Sequence, residues 1–250
     1  MQISAFPGVR LAACLAVATG LVACNSRGNV ERQARLATTS QAGIPRESAA
    51  PNQGDPRIVV LGDSLTAGLG LPIEDAYPAV LQRRLDAAGL KYQVINAGIS
   101  GDTSAGGLSR LDWALEGDVR VLILALGAND GLRGLPVSQL KDNLARIIQR
   151  AQARGVAVVL AGMEAPPNWG DQYTKAFHDV YPALAKQYHL ALVPFLLEGV
   201  AGVDRLNQRD GTHPTAEGDR MMADTVWKVL QPVIAGGEQP ASRGKGLPGS

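Results

Sequence analysis

The stretch VVLGDSLTAG, residues 59 to 68, runs from Val and Leu into a glycine, an aspartate and a serine. A short apolar run of this kind reads as a strand covered on both faces, and the Gly62-Asp63-Ser64 step breaks it into a turn. Ser64 then stands either as the cap of a following helix or as a nucleophile at the end of a strand. The rest of the chain has to decide between the two.

This run is the first of five of the same character. Residues 58–61, 92–95, 121–126, 156–160 and 190–193 are mostly apolar without alternation, as in a parallel sheet packed on both sides. Helical patterns separate them. Val137, Leu140, Leu144, Ile147, Ile148 and Ala151 fall on one stripe, and Gly155 follows as a stop. Met221, Met222, Thr225, Val226, Val229, Leu230 and Val233 repeat the pattern near the end. Five such units predict a doubly wound α/β domain, with its site beyond the carboxyl ends of the strands.

Composition narrows the function. The 250 residues carry 24 Lys and Arg against 23 Asp and Glu, and no basic stripe stands out, so nucleic acid is not an expected partner. At the N-terminus Arg10 precedes an apolar run from Leu11 to Ala23, too short to span a bilayer and suited to the core of an export signal. The run ends in Leu21-Val22-Ala23-Cys24, which resembles a bacterial lipobox. That resemblance implies cleavage before Cys24, lipidation of its thiol and a membrane anchor on the periplasmic side. An ordinary secretory signal is the other reading. Cys14 and Cys24 are the chain's two cysteines, so the mature protein would have no disulfide and no Cys cluster for zinc. His178, His189 and His213 are scattered, and neither metal nor cofactor is expected. The chain divides into a signal (1–23), a Ser-, Ala-, Gly-, Gln- and Pro-rich tether (24–56), the α/β domain (57–235) and a tail of tether-like composition (236–250). A monomer is expected.

A serine nucleophile needs a base, a group that orients the base, and donors for an oxyanion. His213 is the best base, in DGTHPTAEGDRMMA just before the last helical pattern, with Asp210 three residues earlier to hold the imidazole. His178 lies in a helical stretch next to Asp179, and adjacent helical side chains do not face each other. His189 stands at the end of that stretch, where imidazole can cap carbonyls. For the oxyanion, Gly98 in NAGISGDTS offers a backbone N–H, Asn129 in LGAND an amide, and Ser64 its own N–H. Asp63 and Asp130 read as loop and helix-start carboxylates.

Four blocks occur in order: GDSL at 62–65, NAG at 96–98, GAND at 127–130 and DGTHP at 210–214. Together they resemble the GDSL or SGNH hydrolase superfamily, and most closely its arylesterase, acyl-thioesterase and lysophospholipase type. The resemblance implies a flavodoxin-like three-layer sandwich with a five-stranded parallel sheet, a catalytic triad of Ser64, Asp210 and His213, and an oxyanion hole of Ser64, Gly98 and Asn129. It implies hydrolysis of short to medium acyl esters, aryl esters, thioesters or lysophospholipids.

Leu69, Leu71, Leu132, Leu135, Pro136, Met163, Pro166, Pro167 and Trp169 follow the strands and would either line an acyl groove or pack under their loops. Glu164 stands among them, where a carboxylate would disfavour anionic head groups. A carbohydrate O-deacetylase and a non-catalytic acyl- or glycan-binding lipoprotein remain as alternatives. A nucleotide-binding module is weaker, because the loop lacks the Lys-Ser/Thr of a P-loop and has Ile73 where a dinucleotide fingerprint needs its third glycine.

Overall fold

The computed structural model describes residues 54–237. Cys24, the signal, nearly all of the tether and the residues after 237 lie outside the described residues. The described chain runs β1 (Arg57–Gly62), α1 (Ser64–Ala67), α2 (Tyr77–Ala87), β2 (Gln93–Gly98), α3 (Ser104–Ser109), α4 (Leu111–Ala114), β3 (Val119–Ala125), α5 (Ala128–Leu132), α6 (Val137–Gln152), β4 (Ala157–Ala161), α7 (Asp171–Tyr188), β5 (Ala191–Val193) and α8 (Ala216–Gly237). All five strands are parallel, in the order β2-β1-β3-β4-β5. This is the doubly wound arrangement that the alternating runs predict, with the flavodoxin-like strand order that the family resemblance implies.

The winding reverses at β1. The crossover from β1 to β2 steps one way and those from β3 to β5 step the other, so right-handed connections send their helices to opposite faces. Accordingly α2 packs with α8, while α6 packs with α3 and α7. The central strands are buried along nearly their whole length, Ile58 to Leu61 and Val121 to Leu124 included. On α6 the buried residues are Leu140, Leu144, Ile147, Ile148 and Ala151, the stripe read from the sequence, and Val137 is half-buried at its start. On α8 the buried line is Met222, Ala223, Val226, Leu230 and Ile234. Met221, Val229 and Val233 flank it as partly buried neighbours. The stripe on α8 is therefore rotated from the one predicted, because the α2 contact and the sheet together draw a wider face inward.

One polar residue sits inside this layer. Asp219, in the first turn of α8, accepts the N–H of Tyr77 at 3.0 Å and so caps the start of α2. Burial pushes its carboxyl up to about 7, and the nearby charge of Asp75 adds to the rise. An acid whose folded pKa lies above its ordinary value of 3.8 takes up a proton on folding within that interval. Stability should therefore fall as pH rises from about 4 to about 7. Asp63, raised by burial to about 6, contributes with the same sign. Asp219→Asn keeps an acceptor for Tyr77 without the charge. Thermal unfolding between pH 5 and pH 8 should decline less steeply in this variant, with Tm several degrees above the parent at pH 8, given about 2–4 °C per kcal/mol for a domain this size. Parallel pH profiles for the two proteins would exclude the buried charge as the cause.

Candidate active site

Ser64 opens α1, the four-residue helix directly after β1. Asp63 caps that helix by accepting the Leu65 N–H at 3.1 Å, so Ser64 itself does not serve as the cap. Its Oγ lies 2.9 Å from Nε2 of His213. The other ring nitrogen, Nδ1, lies 2.7 Å from Oδ2 of Asp210. With Nδ1–H donating to the carboxylate, Nε2 is left as the acceptor for the serine O–H, which is the tautomer a general base needs.

The loop that carries Asp210 and His213 folds back on itself. Asn207 bridges Pro214, Gln208 N–H donates to the His213 carbonyl at 2.7 Å, and Thr215 N–H donates to the Leu206 carbonyl at 2.8 Å. The Gln208 amide then donates to the carbonyls of Pro214 and of Leu69, at 2.8 and 2.7 Å. This side chain therefore ties the histidine loop to the serine loop. Asp210 Oδ1 accepts the N–H groups of His213 and Thr212 at 3.0 and 2.9 Å. Those two backbone donors, with the imidazole, hold the Asp210 carboxyl well below the usual carboxylate range. It stays ionised wherever the histidine can work as a base.

The donors differ from expectation at one position. The Gly98 N–H is bonded to its neighbour Asn96, at 3.0 Å from Oδ1, and Gly98 does not line the groove above Ser64. A side chain at Gly98 would put its Cβ 2.3 Å from Ala67 N, so glycine is required there to let α1 lie against β2. Three residues on, Gly101 does line the groove, at φ +85°. Its N–H, like that of Ser64, has no hydrogen-bond partner among the described residues. In this segment the free N–H that faces the groove is therefore that of Gly101, while the N–H of Gly98 is taken up by Asn96. The signal was present in the sequence: NAGISG holds two glycines, and only the second lies far enough past the strand end to reach the groove.

Gly101 is held from three sides. Arg133 donates to its carbonyl at 2.8 Å. Arg110 pairs with Asp102 at 2.6 Å and also donates to the carbonyls of Ala97 and Gly62, which fixes the loop to the ends of β2 and β1. Asp130, buried, accepts the Ser104 N–H at 2.8 Å and its Oγ–H at 2.6 Å. Asp130 therefore anchors the start of α3, not its own helix. On the opposite wall Asn129 lines the groove, and its Nδ2 donates to Asp63 Oδ2 at 3.3 Å with a second hydrogen to spare.

The groove has a volume of about 630 Å³. Leu69, Leu132, Met163, Pro166 and Pro167 line it, as expected. Leu135 and Trp169, also expected there, do not. The Leu135 carbonyl accepts the Tyr173 hydroxyl at 2.8 Å, and the Trp169 ring lies over Gly134 and tilts against Tyr173 with centroids 6.2 Å apart. They brace the segment after Asn129 from behind. Leu71 and Pro136 are likewise off the wall. Phe195 and Leu197, after the short strand β5, complete the groove, and no sequence pattern separated them from ordinary loop packing.

The other histidines stand apart from Ser64. His178 Nδ1 lies 2.6 Å from Glu164 Oε1, a carboxylate partner 14 residues away that sequence spacing does not reveal. Asp179 pairs with Lys175 instead, at 2.7 Å. His189 ends α7 in a left-handed conformation at φ 53°, and its backbone N–H, not its ring, caps the Ala185 carbonyl. The glycines of the nucleotide-like loop are occupied structurally: Gly68 closes α1, and Gly70 packs against the Gln208 amide. Among the described residues no three His, Cys, Asp or Glu side chains gather as a metal site.

Comparison with known proteins agrees with this geometry. The esterase TesA of Pseudomonas aeruginosa is 47% identical over 178 residues, which cover 71% of this chain and 89% of that protein. Thioesterase 1/protease 1/lysophospholipase L1 of Escherichia coli is 38% identical over 178 residues, covering 71% and 84%. Among solved structures, the psychrotrophic esterase EstA from Pseudoalteromonas sp., inhibited by monoethylphosphonate, superposes with a TM-score of 0.69 at 34% identity, over 72% of this chain and 100% of that one. The family model for the GDSL-like Lipase/Acylhydrolase family matches residues 60–221, which hold all the groups described above. The chain belongs to the GDSL-like Lipase/Acylhydrolase family.

Proposed function

We propose that this chain is a serine esterase that cleaves short to medium acyl esters and aryl esters through an acyl-enzyme on Ser64, and that thioesters and lysophospholipids fall within the same chemistry. The observation that carries the reading is the unbroken chain from Asp210 through His213 to Ser64, with contacts of 2.7 and 2.9 Å, at the floor of an apolar groove. The hydrolase class is shared with its relatives, and the choice of ester is the finer part of the proposal.

In the first half-reaction Ser64 Oγ attacks the acyl carbonyl while His213 Nε2 takes its proton. Asp210 stabilises the imidazolium without accepting the proton. The oxyanion is received by the N–H groups of Ser64 and Gly101 and by the Asn129 amide, each on a different loop and each braced by the contacts above. His213 then protonates the leaving alkoxide or thiolate. In the second half-reaction the same nitrogen activates water to release the acid. The cluster of Leu132, Met163, Pro166, Phe195 and Leu197 supports an acyl chain of modest length in a groove of this volume. No contact in the groove favours a sugar over an acyl chain, so the deacetylase remains the second reading.

The lipobox-like ending at Cys24 supports export and anchoring to a membrane on the periplasmic side. Cys24→Ser should shift the protein from the membrane fraction to the soluble fraction of the exported material. An unchanged distribution would remove the anchor from the proposal.

Ser64→Ala should lower kcat on p-nitrophenyl butyrate by on the order of 10⁶. Asn129→Ala should cost about 10² to 10³, since it removes one of three oxyanion donors. Retention of more than a tenth of the activity by Ser64→Ala would defeat the mechanism. In a p-nitrophenyl ester series from acetyl to palmitoyl, turnover should peak at medium chains; turnover confined to acetyl would favour the deacetylase.

A further inference from the structure

We infer that Glu164 makes the groove selective by charge, admitting uncharged acyl esters and rejecting those whose acyl part ends in a carboxylate or another anion. The inference rests on the esterase reading and specifies its substrate class. Among the described residues that line the groove, Glu164 is the one carboxylate, and neither Lys nor Arg stands on the wall. An anion entering the groove would meet no Lys or Arg side chain on its wall, and the neighbouring Arg133 is engaged with the Gly101 carbonyl. It would meet a carboxylate set among Met163, Ala165, Pro166 and Pro167, which offer little polarity to screen it.

The carboxylate is also held in place. Oε1 is engaged by His178 from α7 at 2.6 Å, whereas Oε2 has no hydrogen-bond partner among the described residues. His178 itself is not part of the groove wall, and its side chain is 57% exposed against 40% for Glu164. Pro166 and Pro167 stiffen the segment that follows, because each ring fixes its own φ. A side chain tied at one oxygen and carried on such a segment cannot easily swing away from an incoming anion. Two like charges about 5 Å apart at an effective dielectric of about 20 repel by enough to change affinity by roughly two orders of magnitude, and partial exposure reduces this to about tenfold.

The test compares two p-nitrophenyl esters of glutaric acid, one with a free terminal carboxylate and one with that end methylated, assayed at pH 8. The readout is the ratio of kcat/KM for the neutral ester to that for the anionic one. Any general loss of activity or folding in a variant cancels in this ratio. The parent protein should prefer the neutral ester at least tenfold beyond the intrinsic difference in reactivity between the two. Glu164→Gln should shrink the ratio about tenfold and Glu164→Lys should shrink it further or invert it. Added salt at 0.5 M should narrow the ratio in the parent but hardly in Glu164→Gln, an effect that a steric or packing role would not produce. A ratio that stays constant across the three proteins overturns the inference while leaving the esterase intact. Failure of the parent to cleave the neutral ester overturns the esterase reading, and this inference with it.

Discussion

Strands β2, β1 and β3 end level with one another: Gly62 lies opposite Gly98 on one side and opposite Ala125 on the other. The active constellation depends on that register. Each of the three strand ends releases a loop that carries one part of the site, Ser64 after β1, Gly101 after β2 and Asn129 after β3. A slip of one residue in either pairing would move a donor by more than 3 Å along the strand and turn its neighbours to the other face. Parallel strands buried on both faces fix their register by packing, so the hydrophobic core sets the relative positions of Ser64, Gly101 and Asn129 before any polar contact does.

Polar contacts then tie the loops to one another. Most are bonds from a side chain to the backbone of a different loop. Arg110 reaches the ends of β1 and β2, Arg133 reaches Gly101, Asp130 reaches Ser104, and Gln208 reaches Leu69. Asp63 and Asp130 are nearly inaccessible, and a buried carboxylate destabilises a fold unless its oxygens are satisfied. Here Asp63 accepts from the Leu65 N–H and the Asn129 amide, and Asp130 from the Ser104 N–H and hydroxyl, so each ties together loops that border the groove. The cost is visible in the raised pKa of Asp63, which burial lifts to about 6 despite its hydrogen bonds. Rigidity at the site is thus obtained from groups that weaken the fold, as expected where a site must be organised in advance of its substrate.

The elements were legible because their signals are local. Apolar runs placed all five strands to within a few residues, and the 3.6-residue period placed α6. Ser64, Asp210, His213 and Asn129, which the structure brings together at one groove, were legible as candidates because each lies at a strand end or beside a turn signal and because four blocks occur together. Two glycines share the segment NAGISG, and only the path of the chain shows that Gly98 lies against α1 while Gly101 opens on the groove. Leu135 and Trp169 were misplaced for a similar reason. Apolar residues after a strand can line the cleft or pack elsewhere: the Leu135 carbonyl accepts the Tyr173 hydroxyl, and the Trp169 ring, 44% exposed, lies over Gly134. The Glu164–His178 pair, joined across a loop and a helix, leaves no trace in spacing.

What the sequence by itself determined is the class of fold, the order of its strands along the chain and the chemical groups available at their ends, since these follow from periodicity and residue type. The tertiary structure decided which of two glycines offers a free N–H, which apolar residues line the groove, and which carboxylate stands on its wall. Those outcomes depend on contacts between segments far apart in the chain, where a difference of a few ångströms separates a donor from a packing contact. No local pattern encodes distances of that kind; they are set by the level ends of three strands and by the side chains that tie one loop to the next.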